Sequence, residues 1–514
     1  MLLRAGQAKV EGFFEENMNR ELLKDIIKYS PSQVIPGIVG LVAIPVVTRL
    51  FPPSDYGNYV LVMATVSALS LFCGWIGMSV IRFYPICKRE ERMNDLTATA
   101  GTWLLITVAV LSTLYIIVIL LTRGQIDYQL YSLMLVGVAV FALTAIFEAL
   151  QNFLRARRWV GWYSGFAVWR SAGSFGIGIT LVVMFRYGIE GLLWGLVLSM
   201  VLALPLLLKL AIGQLSIKSS PSSALAKEMA RYSLPLVVGN LAAWILSLSD
   251  RYILEFFRGS HEVGIYSASY AIAEKSILLL ASLFVLASGP ISIHIWEREG
   301  EQGSRYFVSS VTRYYLLICI PATTGLAILA KPMMDLATGV VYREGARIIP
   351  FVVLGGLLFG LQQRFQAGFI FYKKTHGVFI AILSGGLTNL ILNLVLVPRY
   401  GYMAAAVTTL IGYAVLLTIM VVTSRKFFVW NFPFKSLGRA TLASIIMAAA
   451  IYTLGNSLTA SPLVKLIVAV PLGLALYFAL ILLLGEIQPN EKRVIRSVLI
   501  QLFRYTRHPL SRRE

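Results

Sequence analysis

TATAGTWLLITVAVLSTLYIIVILL, residues 97–121, is a run of 25 residues without a charged side chain. The hydrocarbon core of a bilayer is about 30 Å thick, so a helix needs about 20 apolar residues to cross it. Only helices and closed barrels pair every backbone group in lipid. Thirteen other hydrophobic stretches of sufficient length occur in the chain, and the predicted spans are residues 31–51, 58–83, 97–121, 129–154, 160–185, 190–211, 232–256, 262–290, 307–330, 347–372, 376–398, 401–424, 438–459 and 461–485. The sequence therefore predicts an all-α polytopic membrane protein with fourteen transmembrane helices.

The composition excludes an ordinary soluble domain. Hydrophobic residues make up 57% of the chain, charged residues 14%, and the mean hydropathy is +0.75. Such a balance lies far from that of soluble globular proteins. The net charge of +20 alone would suggest a nucleic-acid partner, but the charge is distributed with respect to the predicted spans. We therefore expect no nucleic-acid partner.

The basic residues alternate between the two predicted sides of the membrane. The first 30 residues hold five Lys and Arg, the even-numbered gaps hold two to four each, and residues 486–514 hold seven. The odd-numbered gaps hold none to three Lys and Arg each. The gap after the ninth span is the exception to the alternation, because it holds more basic residues than the gaps on either side. Basic loops stay in the cytoplasm. The pattern predicts that both termini are cytoplasmic, as an even number of spans requires.

Cysteine and histidine give no sign of a metal or cofactor. Cys73 and Cys319 lie within predicted spans and Cys87 lies in a gap, while the four histidines are scattered. These positions form neither a disulfide framework nor a metal-ligand spacing. We expect no metal, no cofactor and no catalytic residues.

The chain contains an internal repeat. Three short motifs recur 207 to 213 residues further on, each at the corresponding place in a six-span unit: Arg186-Tyr187-Gly188 as Arg399-Tyr400-Gly401, Gly57-x-Tyr59 as Gly264-x-Tyr266, and Leu150-Gln151-Asn152 as Leu361-Gln362-Gln363. Parallel six-helix repeats are a common transporter plan. The alternative is that Arg-Tyr-Gly recurs merely as an interfacial turn.

A duplication divides the chain into six predicted segments. These are an amphipathic cytoplasmic segment at 1–30, an N-lobe at 31–211, a linker at 212–231, a C-lobe at 232–424, two further spans at 438–485 and a basic cytoplasmic tail at 486–514.

Two motifs resemble those of a known transporter family. Residues 48–59, TRLFPPSDYGNY, resemble the R-L-x-P-x-x-Y-G signature of bacterial oligosaccharide flippases, with one extra residue between the proline and Tyr-Gly. Residues 250–254, DRYIL, followed by Gly264-Ile265-Tyr266, are similar to the element that opens the second lobe of that family. The family belongs to the multidrug/oligosaccharidyl-lipid/polysaccharide (MOP) superfamily.

The resemblance implies a fold and an activity. It implies a V-shaped pair of lobes, like that of MATE transporters, in a multi-pass protein of the bacterial inner membrane. It further implies that the protein carries a polyprenyl-pyrophosphate-linked oligosaccharide, of the O-antigen or exopolysaccharide kind, from the cytoplasmic to the periplasmic leaflet by alternating access and with ion coupling. Glycosyltransferases and a polymerase of the same pathway would be its partners, besides membrane lipids.

Three cations lie deep in predicted spans: Arg170, Lys275 and Arg364. A charge near the bilayer centre costs at least about 2.5–3.5 kcal/mol on insertion scales, so it should face protein or a water-filled cavity. Arg can bind phosphate oxygens bidentately and Lys supplies a point charge. We predict that the three line a cationic cavity for a pyrophosphate. The alternative is internal ion pairing with Glu148 and Glu274.

Weaker site candidates come from polar stripes at helical spacing. They carry amides, an indole or cations that suit sugar hydroxyls, and they are Arg49, Gln151, Asn152, Asn240, Trp244, Ser247, Arg251 and Gln363. Hydrogen bonding between helices is the alternative role for these side chains. The acidic residues placed furthest into lobe helices, Glu148, Asp250 and Glu274, are the candidates for ion coupling.

Other functions remain open. A multidrug exporter of the same superfamily would favour acidic and aromatic cavity walls. A membrane glycosyltransferase or polymerase would present a catalytic constellation in a large loop, and the gaps at 212–231 and 331–346 show none. A lipid scaffold without transport activity is the last alternative.

Overall fold

The computed structural model describes residues 30–213, 220–457 and 460–487. Within these ranges the chain is helical apart from turns, without a strand. Residues 1–29 of the predicted N-terminal amphipathic segment and residues 488–514 of the predicted basic C-terminal tail lie outside the described residues. The all-α prediction is confirmed.

Among the residues that the structure describes, fourteen α-helices follow one another, with a π-helical turn at Trp169–Gly173 and a 3-10 helix at Val340–Ile348. They are α1 (Ser30–Leu50), α2 (Pro53–Arg89), α3 (Met93–Thr122), α4 (Tyr128–Ala156), α5 (Val160–Val168), α6 (Ser174–Met184), α7 (Glu190–Ile212), α8 (Ser223–Arg258), α9 (Ser260–Ile328), α10 (Ala330–Ala337), α11 (Ile349–Phe371), α12 (His376–Ser424), α13 (Phe434–Ser457) and α14 (Pro462–Leu483). Twelve helical stretches among the described residues are long and apolar enough to cross a membrane.

Glycines divide the two longest helices. Gly300 in α9 and Gly401 in α12 have positive φ angles of 68° and 57° and leave the helical conformation. We call the halves α9a and α9b, and α12a and α12b. The division places each of the predicted spans 262–290, 307–330, 376–398 and 401–424 on a helix of its own. The chain is therefore a multi-pass membrane protein whose spans follow the sequence prediction closely.

The described residues form two compact units. The first draws on Met1–Lys275, Ala337–Ile348 and Phe379–Leu416, and the second on Ser276–Leu336, Ile349–Val378 and Leu417–Glu514.

The repeated glycine motifs bring helices together in the first unit. Gly57 at the start of α2 and Gly264 at the start of α9 face each other, and a Cβ on Gly264 would overlap the carbonyl oxygen of Pro53. Beside them, Ser260 Oγ donates to Asn58 Oδ1 at 2.6 Å. Small residues allow such close approach of helices in a membrane.

The second unit has its own core and a buried ionic cluster. Glu486 follows α14 and is 4% exposed. Its carboxylate accepts hydrogen bonds from Arg313 Nε at 2.7 Å, Arg439 Nη1 at 2.8 Å and Ser436 Oγ at 2.5 Å. Because these donors lie on α9b and α13, the cluster ties the end of α14 to both helices.

Candidate functional site

A cavity of about 470 Å³ lies in the first unit. Its wall includes residues of α1, α2, α4, α7, the π-helical turn and α9a. The polar side chains on this wall are Tyr56, Tyr59, Gln151, Arg170, Ser171, Ser174 and Lys275. Two of the three predicted deep cations, Arg170 and Lys275, therefore share one cavity, and predicted Gln151 lies beside them.

Arg170 occupies the π-helical turn between α5 and α6. Such turns recur at functional sites, since the inserted residue changes the direction of the side chains around it. Arg170 Nη1 donates to Glu148 Oε1 at 3.0 Å, and the two side chains are 31% and 44% exposed. This is the ion pair that the sequence left as an alternative. A pair so exposed contributes at most about 1 kcal/mol.

Lys275 reaches the same cavity from α9a. Its ammonium lies against Gly40 of α1, where a Cβ would overlap Lys275 Nζ. No hydrogen bond or ion pair to this ammonium occurs among residues 30–213, 220–457 and 460–487. Glu274 precedes Lys275, and adjacent helical side chains diverge by about 100°. Lys275 thus presents its charge to the cavity.

Two tyrosines on the cavity wall escaped the sequence analysis. The rings of Tyr56 and Tyr59 stack with their centroids 6.2 Å apart. Aromatic faces suit the apolar faces of sugar rings. The sequence signal for Tyr59 was the duplicated Gly-x-Tyr motif, which contains it.

Asp250 and Arg251 form a buried pair away from the cavity wall. Arg251 Nη1 donates to Asp250 Oδ1 at 2.9 Å, and the Tyr266 hydroxyl donates to the other carboxylate oxygen. The Arg251 guanidinium also stacks over the rings of Tyr266 and Tyr270, 5.5 and 5.0 Å from their centroids. Both charges are thus engaged within the helix bundle.

Arg364 belongs to the second unit and is 7% exposed. Its Nη1 donates to Ser288 Oγ at 3.1 Å, and the guanidinium lies over the ring of Tyr315 at 5.9 Å. The structure gives Arg364 polar and aromatic partners on α9.

The weaker candidates are dispersed. Arg49 lines a second pocket of about 500 Å³ together with Arg343. Asn152 packs its amide against Gly77 on α2. The remaining four lie on α8 and α11: Trp244 is close to Tyr252 with ring centroids 5.8 Å apart, Ser247 Oγ donates to the Ala243 carbonyl at 3.0 Å, Asn240 is exposed and Gln363 is half-buried.

A further polar chain joins the halves of α12. Asn393 Nδ2 donates to Asn389 Oδ1 at 3.1 Å, Asn389 Nδ2 donates to Thr409 Oγ1 at 3.1 Å, and Thr408 Oγ1 donates to Asn393 Oδ1 at 2.7 Å. All four side chains are buried. Two asparagines four residues apart in an apolar span were the sequence signal that the analysis missed.

Metal ligands are not clustered in the described part of the chain. It contains no group of three or more His, Cys, Asp and Glu side chains that could hold an ion. Cys73, Cys87 and Cys319 are buried free thiols.

The architecture resembles that of solved helical membrane proteins. The lipid II flippase MurJ in an inward closed conformation superposes with a TM-score of 0.73 at 19% identity, over 88% of this chain and 98% of that one. An inward-facing multidrug resistance MATE transporter of the MOP superfamily gives a TM-score of 0.66 at 14% identity, over 78% and 97%. These likenesses define the class of fold: a polytopic helical membrane protein.

Comparisons of the amino-acid sequence identify the protein family. The chain is 25% identical to the probable low-salt glycan biosynthesis flippase Agl15 of Haloferax volcanii, over 68% of this chain and 70% of that protein. It is 21% identical to an uncharacterized membrane protein of Methanocaldococcus jannaschii, over 71% and 76%. Residues 22–296 match the family described as polysaccharide biosynthesis protein. The chain belongs to that family.

Proposed function

We propose that this protein is a flippase that carries an oligosaccharide, linked through pyrophosphate to a polyprenyl lipid, from the cytoplasmic to the outer leaflet by alternating access. The observation that carries the proposal is the cavity in which Arg170 and Lys275 meet beside Tyr56 and Tyr59. The family assignment and the flippase names of MurJ and Agl15 support it.

The positive charge of the cavity is complementary to the anionic pyrophosphate of the proposed cargo. A pyrophosphate that leaves water loses its hydration, and this loss is the main barrier to crossing the bilayer. A guanidinium and an ammonium replace that hydration with charge-assisted hydrogen bonds. Because Glu148 already pairs with Arg170, the carboxylate offsets one of the two positive charges while the cavity is empty, and the diphosphate takes its place. The Glu148–Arg170 pair therefore serves release as well as binding.

The second unit offers a place for the hydrocarbon tail. A cavity of about 1500 Å³ lies between α9b, α13 and α14 with an almost entirely apolar wall. Arg313 and Leu326, both on this wall, lie 13 positions apart on α9b, which is about 20 Å of helix at about 1.5 Å per residue. One leaflet of the hydrocarbon core is about 15 Å thick, half of about 30 Å. The length thus favours a polyprenyl chain over an ordinary acyl chain.

Ion coupling belongs to the same proposal, and Glu274 is its best-placed carboxylate. Glu148 pairs with Arg170, and Asp250 is held by Arg251 and Tyr266. Among the described residues, no hydrogen bond engages Glu274. It is thus free to take up a proton or a sodium ion next to the cargo-binding Lys275. In this scheme the termini are cytoplasmic, and glycosyltransferases of the pathway supply the cargo on that side.

Reconstitution tests the proposal. Purified protein in liposomes is supplied with a fluorescent polyprenyl-pyrophosphate oligosaccharide, and flipping is read by accessibility to an external lectin or quencher. Arg170→Ala and Lys275→Ala should each slow flipping about tenfold or more, the value of one charge-assisted hydrogen bond. Arg123→Ala, whose guanidinium lies over Tyr131 outside the cavity, is the control. Export of cationic drugs without flipping by the intact protein would instead establish a multidrug exporter.

A further inference from the structure

The contact between Gly40 and Lys275 has no counterpart in the sequence analysis. Gly40 lies on the face of α1 that borders the cavity, with Pro36 and Ala43 one turn to either side. The Lys275 ammonium fills the space that any larger residue at position 40 would need. A glycine in the interior of a helix costs about 1 kcal/mol relative to alanine. Its presence here calls for a local reason, and the ammonium supplies one.

We propose that Gly40 is a positioning residue, whose missing side chain seats the Lys275 ammonium in the cavity at the place where it receives the anionic part of the cargo. The inference rests on the proposed function for the identity of the cargo, a diphosphate. The placement of the ammonium itself is independent of that function.

The energetics of the contact make the proposal specific. A lysine side chain has four rotatable carbons and takes many conformations, so its charge acts at a fixed point only where neighbours confine it. Gly40 lets the chain lie across α1 instead of curling toward Glu274. A methyl group at position 40 would displace Nζ, because the overlap falls on the end of the side chain. The charge would remain in the protein but act from another point.

The helix also provides a matched control. Gly37 lies on α1 one turn before Gly40, and a Cβ there would meet nothing within 4 Å. Alanine favours the helix equally at both positions. A defect confined to Gly40→Ala therefore cannot come from a weakened helix.

The experiment is a double-mutant cycle with a second, transport-independent measurement. Gly40→Ala, Gly37→Ala, Lys275→Met and the double variant Gly40→Ala/Lys275→Met are compared in the liposome flipping assay at equal protein level and thermal stability. We expect Gly40→Ala to slow flipping about tenfold, close to Lys275→Met, and to add nothing in the Lys275→Met background. Gly37→Ala should flip at the wild-type rate.

The second measurement is the rate at which a small water-soluble reagent acetylates Lys275. The reagent is added to the folded protein, and the modified fraction of Lys275 is measured by mass spectrometry of peptides cut from it afterwards. The rate should change in Gly40→Ala and stay unchanged in Gly37→Ala. Either of two results would overturn the proposal. In the first, Gly40→Ala slows flipping by the same factor in the wild-type and Lys275→Met backgrounds. In the second, Gly40→Ala leaves the acetylation rate of Lys275 unchanged. If Lys275→Met flips normally, the cationic-cavity function fails, and the acetylation rate alone then decides whether Gly40 seats the ammonium.

Discussion

Gly57 and Gly264, the equivalent glycines of the two sequence repeats, pack against each other's helices without room for a side chain. A Cβ on Gly57 would overlap the carbonyl oxygen of Ser260, and a Cβ on Gly264 would overlap that of Pro53. The repeated Gly-x-Tyr motif is therefore a self-complementary contact between α2 and α9a. The charge pattern of the sequence predicts that this contact lies at the outward-facing end of both helices.

Alanine at either glycine should therefore weaken the contact. The obstacle on each side is backbone, which cannot rotate away, and overpacking of this kind costs about 1–3 kcal/mol. We expect Gly57→Ala and Gly264→Ala to lower the melting temperature in detergent and to increase labelling of a cysteine at Ser260 from outside the cell. Gly74→Ala and Gly239→Ala, at positions where a Cβ meets nothing within 4 Å, are the controls. Wild-type melting and labelling in both test variants would show that the contact is loose.

Neutralising the deep cations that the sequence predicts for the cavity should reduce surface glycan without reducing the amount of protein. Arg170→Ala, Lys275→Ala and Arg364→Ala are tested for complementation of a flippase-deficient strain, with membrane protein level measured in parallel. Substitution of a residue that binds the cargo lowers the amount of surface glycan alone. Substitution of a structural residue lowers expression or stability first. This is the expected result for Arg364→Ala if the hydrogen bond of Arg364 to Ser288 at 3.1 Å is its main role. Full complementation by all three well-expressed variants would refute the cationic cavity.

Sequence reasoning found the spans because apolar length and basic gaps are properties of local composition. It also placed Arg170 and Lys275 in one cavity, since a charge at mid-span must avoid lipid. It could not predict the π-helical turn that carries Arg170. An extra residue rotates the later side chains of a helix by about 100°, but span 160–185 is apolar on nearly every side and has little periodicity to shift. Arg251, taken as a cavity candidate from helical spacing, lies in a buried pair with Asp250. Its partners Tyr266 and Tyr270 come from another helix, and spacing along one helix does not reveal them.

Acidification should loosen the cluster at the end of α14. Burial raises the pKa of Glu486, but hydrogen bonds from Ser436, Arg313 and Arg439 outweigh it and hold the pKa below its ordinary value. A carboxyl whose pKa is lowered by folding stabilises the fold above its unfolded pKa, and that contribution disappears as the pH falls through the folded pKa.

We expect Glu486→Gln to cost about 1–3 kcal/mol at neutral pH, because it leaves buried donors poorly paired. The difference in melting temperature from wild type should shrink as the pH is lowered below the ordinary range of a glutamate. Glu90→Gln, which breaks an exposed pair with Arg92, should have little effect at any pH. A pH-independent difference would show that the charge of Glu486 contributes nothing.

The topology can be tested by reporter fusions at two turns of each predicted side. Gly188 and Gly401, both at positive φ in the repeated Arg-Tyr-Gly turn, should report the periplasmic side. Arg157 and Lys373 should report the cytoplasmic side, as the basic gaps predict. Reversal at any two of the four sites would contradict the predicted orientation.

Ion dependence should follow Glu274 rather than the other two acidic candidates. Glu148 and Asp250 already hold cationic partners at 3.0 and 2.9 Å, so a proton or sodium ion would have to displace an arginine from either. Glu274 has no such competitor among the described residues. The amide variants Glu148→Gln, Asp250→Asn and Glu274→Gln are compared in liposomes with proton or sodium gradients of either direction. Glu274→Gln should flip at one rate whatever the gradient, whereas Glu148→Gln and Asp250→Asn should change the rate and keep its response to the gradient. If Glu274→Gln responds to the gradient as the wild type does, coupling lies at another residue or transport is uncoupled.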